Sequence, residues 1–133
     1  MHRSGGFSLI EVLVSVVILS FALLGTAALT ANSLKNTNTS YYRSQATVLA
    51  DDILDRMRAN IVQARGGQYN IDVTGALVAA NNTMEHFDCQ EWTDTLAASL
   101  PDGKGTVNVA AGVATIVVTW DGGADTFTTI SQL

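Results

Sequence analysis

The residue best placed to do chemistry in this chain is Glu11. It is the only charged side chain in the 25-residue run from Phe7 to Ala31, which is otherwise apolar, small or hydroxyl-bearing. On insertion scales a charge at the centre of a hydrocarbon-crossing helix costs about 2.5 to 3.5 kcal/mol, so a chain that keeps one there implies a partner for it. The chemistry of a lone carboxylate in such a place is ion pairing, and the function is sought in assembly. Phe7 and Glu11 are four residues apart, which puts them on one helix face with about 6 Å of rise between them. A carboxylate in a first helical turn also meets the positive end of the helix dipole.

Other reactive residues are sparse. Glu85-His86-Phe87-Asp88-Cys89 invites a metal or nucleophile reading, but adjacent residues in a loop seldom converge on one ion. The only other histidine is His2, and the chain has no glycine-rich phosphate loop. Asp121-Gly-Gly-Ala-Asp125 offers oxygens of the kind calcium takes, yet five residues between strands read more simply as a turn. No enzymatic activity, metal or cofactor is expected.

The elements that carry these residues follow from periodicity. Residues 7–31, as a helix rising about 1.5 Å per residue, reach about 37 Å, enough for a hydrocarbon core of about 30 Å. Arg3, the one fixed positive charge ahead of them, orients the N-terminus toward the cytoplasm. A secretory signal peptide is an alternative, with Gly25-Thr-Ala-Ala28 as its cleavage site, but Glu11 interrupts the apolar stretch it needs. A plain single-pass anchor accounts for the length and leaves the glutamate and the double glycine unexplained. A wholly buried helix needs a wider core than this chain can build.

Past Ala31, Asn32 to Ser40 is polar but free of Gly and Pro, so the helix is expected to continue through it. Tyr42, Ala46, Leu49, Ile53, Met57, Ile61 and Ala64 then recur on one helical face, while Arg43, Asp51, Asp52, Asp55, Arg56 and Arg58 occupy the other. Asp52 and Arg56 form an i, i+4 pair on what reads as a solvated face. The helix 40–65 is expected to end at Gly66-Gly67.

Residues 68–89 read as loop, with a short strand around Tyr69 to Val73. Residues 91–100 read as a short helix with Trp92, Leu96 and Leu100 on one side, ended by Pro101. Three strands follow at 105–110, 113–120 and 125–130, separated by Ala111-Gly112 and by the 121–124 turn. The fold class is α+β: a long N-terminal helix, membrane-spanning in its first half and amphipathic in its second, packed on a three- or four-stranded antiparallel sheet.

Gly6-Phe-Ser-Leu-Ile-Glu-Val-Leu-Val14 resembles the class III signal of type IV prepilins and pseudopilins. The resemblance implies a leader, residues 1–6, removed by prepilin peptidase between Gly6 and Phe7, followed by N-methylation of the new Phe7 amine. It further implies an assembly half at 7–31 and a periplasmic pilin domain at 32–133. In a filament of this family, Glu11 of an incoming subunit faces the Phe7 amine of a docked one. Two opposite charges in an apolar interior attract strongly and offset their desolvation only when packing aligns them, so the pair works as a register device. A proline in the later part of the membrane helix, common in major pilins, is missing here; Pro101 is the only proline and Gly25 the only local weak point.

Tyr42-Arg-Ser-Gln-Ala-Thr-Val-Leu-Ala50, Asp52-Ile-Leu-Asp-Arg-Met-Arg-Ala-Asn60 and Ala114-Thr-Ile-Val-Val-Thr-Trp-Asp121 resemble the PilV family of type IV minor pilins. That resemblance implies a low-abundance subunit of an initiating or tip complex, with other minor pilins and the major pilin as partners. It would reside in the inner membrane with its domain in the periplasm, and after assembly in the pilus or at its tip. The same signal serves minor pseudopilins of type II secretion systems, and a membrane-anchored periplasmic binding module or enzyme is the remaining alternative. The net charge of −5 disfavours nucleic-acid binding through a basic patch. Cys89, the single cysteine, is either buried and inert or open to an intermolecular bond.

Overall fold

The computed structural model describes Gly6 and residues 8–133; Phe7 and residues 1–5 lie outside the described residues. Two compact units divide the chain, Met1–Ser40 and Tyr41–Leu133. In the first unit the described residues form the opening part of helix α1, Leu9–Ala59. Helix continues through Gly25 and through the polar stretch from Asn32 to Ser40, as the lack of proline allows.

The second unit has one hydrophobic core. Of the face read from the sequence, Ala46, Leu49, Ile53, Met57 and Ala64 are buried, while Tyr42 and Ile61 are half-buried at its margin. The helix 40–65 is not continuous: Asn60, at φ −120° and ψ 53°, breaks it, and α2 resumes over Ile61–Arg65. Its end falls where expected. Gly66 caps α2, and Gly67 follows at φ +77°, a left-handed conformation that costs glycine little.

Residues 84–89, expected as loop, belong instead to α3, Met84–Ser99. Thr83 supplies the start, its hydroxyl accepting from the His86 N–H at 3.3 Å. Glu85, Cys89, Trp92 and Leu96 form the inward face of α3, and Leu100 closes it as the C-cap residue. The short strand expected at Tyr69 to Val73 is reduced to bridges at Ile71, one to Leu77 and one to Val107.

Three antiparallel strands, β1 (Lys104–Ala110), β2 (Val113–Trp120) and β3 (Asp125–Gln132), form a sheet in the order β1-β2-β3. The β1–β2 hairpin turns on Ala111 and Gly112, at φ +51° and +76°, the two positive angles of a type I′ turn. Alternation on β2 buries Ala114, Ile116, Val118 and Trp120, and α1 and α3 contribute the other side of the core. Gly105 on β1 is the point of closest approach. A Cβ built there would stand 2.2 Å from the Trp92 ring and 2.6 Å from Leu96. The Trp92 indole N–H donates to the Leu49 carbonyl at 2.7 Å, tying α3 to α1 inside the core. The fold is therefore α+β and pilin-like, with three strands.

Candidate assembly interface

The opening part of α1 is apolar on every side and uncovered. Leu9, Val12, Val16, Leu19, Phe21 and Leu24 are all at least half exposed. Such a helix needs an apolar surrounding that the described chain does not provide. By length and composition α1 is sufficient to cross a membrane, and its most apolar window has no residue buried within the protein. Between Leu9 and Ala31 its hydroxyls are already satisfied. Ser15 donates to the Glu11 carbonyl at 2.7 Å, Ser20 to Val16 at 2.7 Å, Thr26 to Leu23 at 2.9 Å and Thr30 to Thr26 at 2.9 Å. Bonds back along the helix let serine and threonine enter an apolar medium without leaving a donor unpaired.

Glu11 differs from these. It lies in the first turn of α1, exposed, beside a shallow apolar depression lined by Val12, Ser15, Val16 and Leu19. Among the described residues none bonds to its carboxylate. Gly6 precedes the helix and is exposed, with open space around its α-carbon. Phe7, the third member of the expected site, lies outside the described residues, so the geometry of the Phe7–Glu11 pairing is not part of the structure.

The charged face of the second unit does more than read as solvated. Arg56 pairs with Asp52 at 3.1 Å as the spacing suggested, and also reaches α3, with Asp88 at 3.4 Å and Glu91 at 2.9 Å. The hydrogen bond from Arg56 holds the Glu91 carboxyl below its ordinary range, and the guanidinium is raised chiefly by the same bond. Tyr69 donates its hydroxyl to Asp88 at 2.7 Å. Burial first, then that bond, pushes the Tyr69 phenol above its usual range. The network clamps α1 to α3 and to the chain after α2. The sequence spacing shows only its i, i+4 member, because Asp88 sits on a helical turn read as loop and nothing in the spacing places the helix of Glu91 beside Arg56.

Cys89 is fully buried, its thiol 3.8 Å from the Tyr69 carbonyl. Burial, with Asp88 and Glu85 adding to it, pushes the thiol up to about 12. Of the two readings of this cysteine, the buried and inert one describes its position. Glu85 and Cys89 share the inward face of α3, whereas His86 and Asp88 are only half-buried. The described residues contain no group of three or more His, Cys, Asp or Glu placed to hold a metal ion. Asp121-Gly-Gly123 forms a tight 3-10 turn, anchored by the Asp121 N–H donating to the Pro101 carbonyl at 2.8 Å.

Residues 1–27 match the prokaryotic N-terminal methylation motif. The match covers the Gly6-Phe7 step, Glu11 and most of the uncovered apolar helix. This motif supports a type IV pilin or pseudopilin, and with it a structural subunit processed by prepilin peptidase and assembled with other pilins. The uncovered N-terminal helix is consistent with membrane anchoring. No curated protein and no solved structure matches the chain.

Proposed function

We propose that the chain is a minor pilin of a type IV pilus, of the PilV family, acting in the complex that starts or tips the filament. The observation that carries the reading is Glu11: one carboxylate in the first turn of a bare apolar helix, inside a prokaryotic N-terminal methylation motif. In this reading residues 1–6 are a leader, cut between Gly6 and Phe7, and the Phe7 amine is then methylated. Residues 7–31 form the membrane and assembly half, and residues 32–133 the periplasmic part.

Cleavage creates a positive amine at Phe7 that uncut protein lacks. Glu11 of one subunit then meets that amine of a neighbour within an apolar lattice, where a single misplaced turn leaves both charges unpaired. Breaking one partner of a buried pair costs about 3 to 5 kcal/mol, far more than the net value of the intact pair, so the pairing selects register. A Glu11→Val variant is expected to be cut normally at Gly6, yet to be missing from sheared filaments and from complexes with other minor pilins. Recovery of the variant at wild-type levels in filaments overturns the pairing.

A pseudopilin of a type II secretion system is the second reading, since the same motif supports it. Deletion separates the two. Loss of surface pili and twitching supports the pilus, whereas blocked export of secreted enzymes with intact pili supports the secretion system.

A further inference from the structure

Beside β1 lies a cavity of about 580 Å³, within the range of about 300 to 1,000 Å³ typical of small-ligand sites. Its walls include Val73 of the loop after α2, Thr93 of α3, and Lys104, Gly105 and Val117 of the sheet. The loop explains why the space exists. Ile71 pairs with Val107, the Ile71 N–H donating to the Val107 carbonyl at 2.9 Å and the Val107 N–H returning a bond at 3.1 Å. Were that pairing to run on for two residues, Val73 would face Gly105. The chain instead turns away at Asp72, whose carboxylate accepts from the Thr74 N–H at 2.7 Å, the Thr74 hydroxyl at 2.6 Å and the Ala76 N–H at 3.0 Å. Val73 is left 85% exposed at the rim.

The turn strands a buried residue of β1. Val107 directs its N–H and C=O away from β2, so Gly105, two residues earlier in the same strand, directs its own the same way, along the cavity side of the edge. Gly105 is buried, and among the described residues nothing bonds to either group. Buried backbone N–H and C=O groups are almost always paired, so a partner for both is implied. A donor and an acceptor on one edge residue are what Val107 offers Ile71, and one residue of an extended peptide satisfies them together. Lys104 adds a charge beside them. It forms no ion pair among the described residues. The carboxylate of Asp72 serves its own turn, whose hydrogen bonds hold it below the ordinary carboxyl range, and neither Asp94 nor Asp102 lines the cavity.

We propose that this cavity binds an extended acidic peptide segment of a partner protein, which adds to the β1 edge at Gly105 and sets a carboxylate beside Lys104. One residue of the segment donates to the Gly105 carbonyl and accepts from the Gly105 N–H, repeating the Ile71–Val107 exchange in the same antiparallel direction. The next residue of the segment then faces Lys104. Directly opposed residues of two strands project to the same face, so an acidic side chain at that position lies beside the ammonium group. Val73 and Val117 supply apolar contact. The site uses only the second unit and is independent of which machinery the chain serves.

The test is NMR of the full chain in detergent micelles, titrated with acetyl-Ala-Glu-Ala-amide and separately with acetyl-Ala-Lys-Ala-amide. The acidic peptide is expected to shift the Gly105 amide proton downfield, to slow its exchange with solvent about ten-fold, and to bind about five-fold more tightly than the lysine peptide. Lys104→Glu, at an exposed position, is expected to reverse that preference. Thr93→Phe, which fills the cavity from α3, is expected to abolish binding of both peptides; should it fail to fold, the reversal by Lys104→Glu decides. Four results overturn the proposal: no saturable shift at Gly105, which leaves the cavity to water; equal affinity for the two peptides; a preference that Lys104→Glu does not reverse; or binding unchanged by a folded Thr93→Phe. Protection of the Gly105 N–H that grows with the concentration of the chain alone makes a second copy the occupant and overturns it as well.

Discussion

Replacing Gly105 by alanine tests the packing that joins α3 to the sheet. The added methyl carbon falls 2.2 Å from Cη2 and 2.5 Å from Cζ3 of Trp92, and 2.6 Å from Cδ1 of Leu96. Leu96 can rotate, but Trp92 is a rigid ring fixed at its far side by the 2.7 Å bond to Leu49. Carbon pairs rest at about 3.5 to 4.0 Å, so the ring and strand must separate by more than about 1 Å. Overpacking of a dense core costs about 1 to 3 kcal/mol, and a clash this severe is expected near the upper end. For a unit of this size that lowers the melting temperature by roughly 10 to 20 °C. The assay is thermal and urea unfolding of the full chain in detergent, followed by the fluorescence of Trp92 and Trp120. Trp92→Phe removes the two ring atoms nearest the new methyl. That variant is destabilised by its own cavity and lost hydrogen bond, yet should tolerate Gly105→Ala at well under half the cost, giving a clear coupling in the double-mutant cycle. A Gly105→Ala protein that melts within 2 °C of the parent, or additive effects in the cycle, refutes the close approach.

Two further outcomes follow from the Arg56 network and Cys89. Arg56→Gln is expected to cost about 1 kcal/mol, chiefly by leaving the half-buried Asp88 with the Tyr69 hydroxyl as its remaining donor, while the exposed Glu91 carboxylate is taken up by water. Glu91 has a depressed folded pKa, so its stabilising contribution is present above the unfolded value of about 4.3 and lost as pH falls through the folded value. The stability gap between parent and Arg56→Gln should therefore narrow below about pH 4, and a gap that widens on acidification contradicts the pairing. Cys89 is expected to resist maleimide and disulfide reagents at pH 8 in the folded chain and to react fully in denaturant. Rapid labelling of the native protein refutes its burial.

The strands were legible because β2 alternates cleanly and Ala111-Gly112 marks the turn. The buried face of α1 and α2 was legible because seven residues keep helical spacing from Tyr42 to Ala64. The first turns of α3 were not, since two of the residues they turn inward are Glu85 and Cys89 and an apolar pattern is absent there. Missing those turns hid Asp88 and its bonds to Arg56 and Tyr69, and Glu91 gave no sign that its helix lies beside Arg56. Asn60 breaks the helix without Gly or Pro, a local conformation that periodicity does not report. At the candidate site the order was reversed. Glu11 stood out in the sequence by its cost in an apolar run, and the structure adds a bare helix around it and satisfied hydroxyls beside it, while its expected partner belongs to another subunit.

The N-terminus that works in assembly is proposed to be made by cutting at Gly6. Intact mass and N-terminal sequencing of the protein recovered from membranes of cells with an active prepilin peptidase test it directly. A chain of 127 residues beginning at Phe7 is expected, six fewer than the 133 of the full sequence and carrying one added methyl group. A chain that still begins at Met1 under those conditions, or one that begins near Leu29 as a signal-peptide cut would leave it, contradicts cleavage at Gly6.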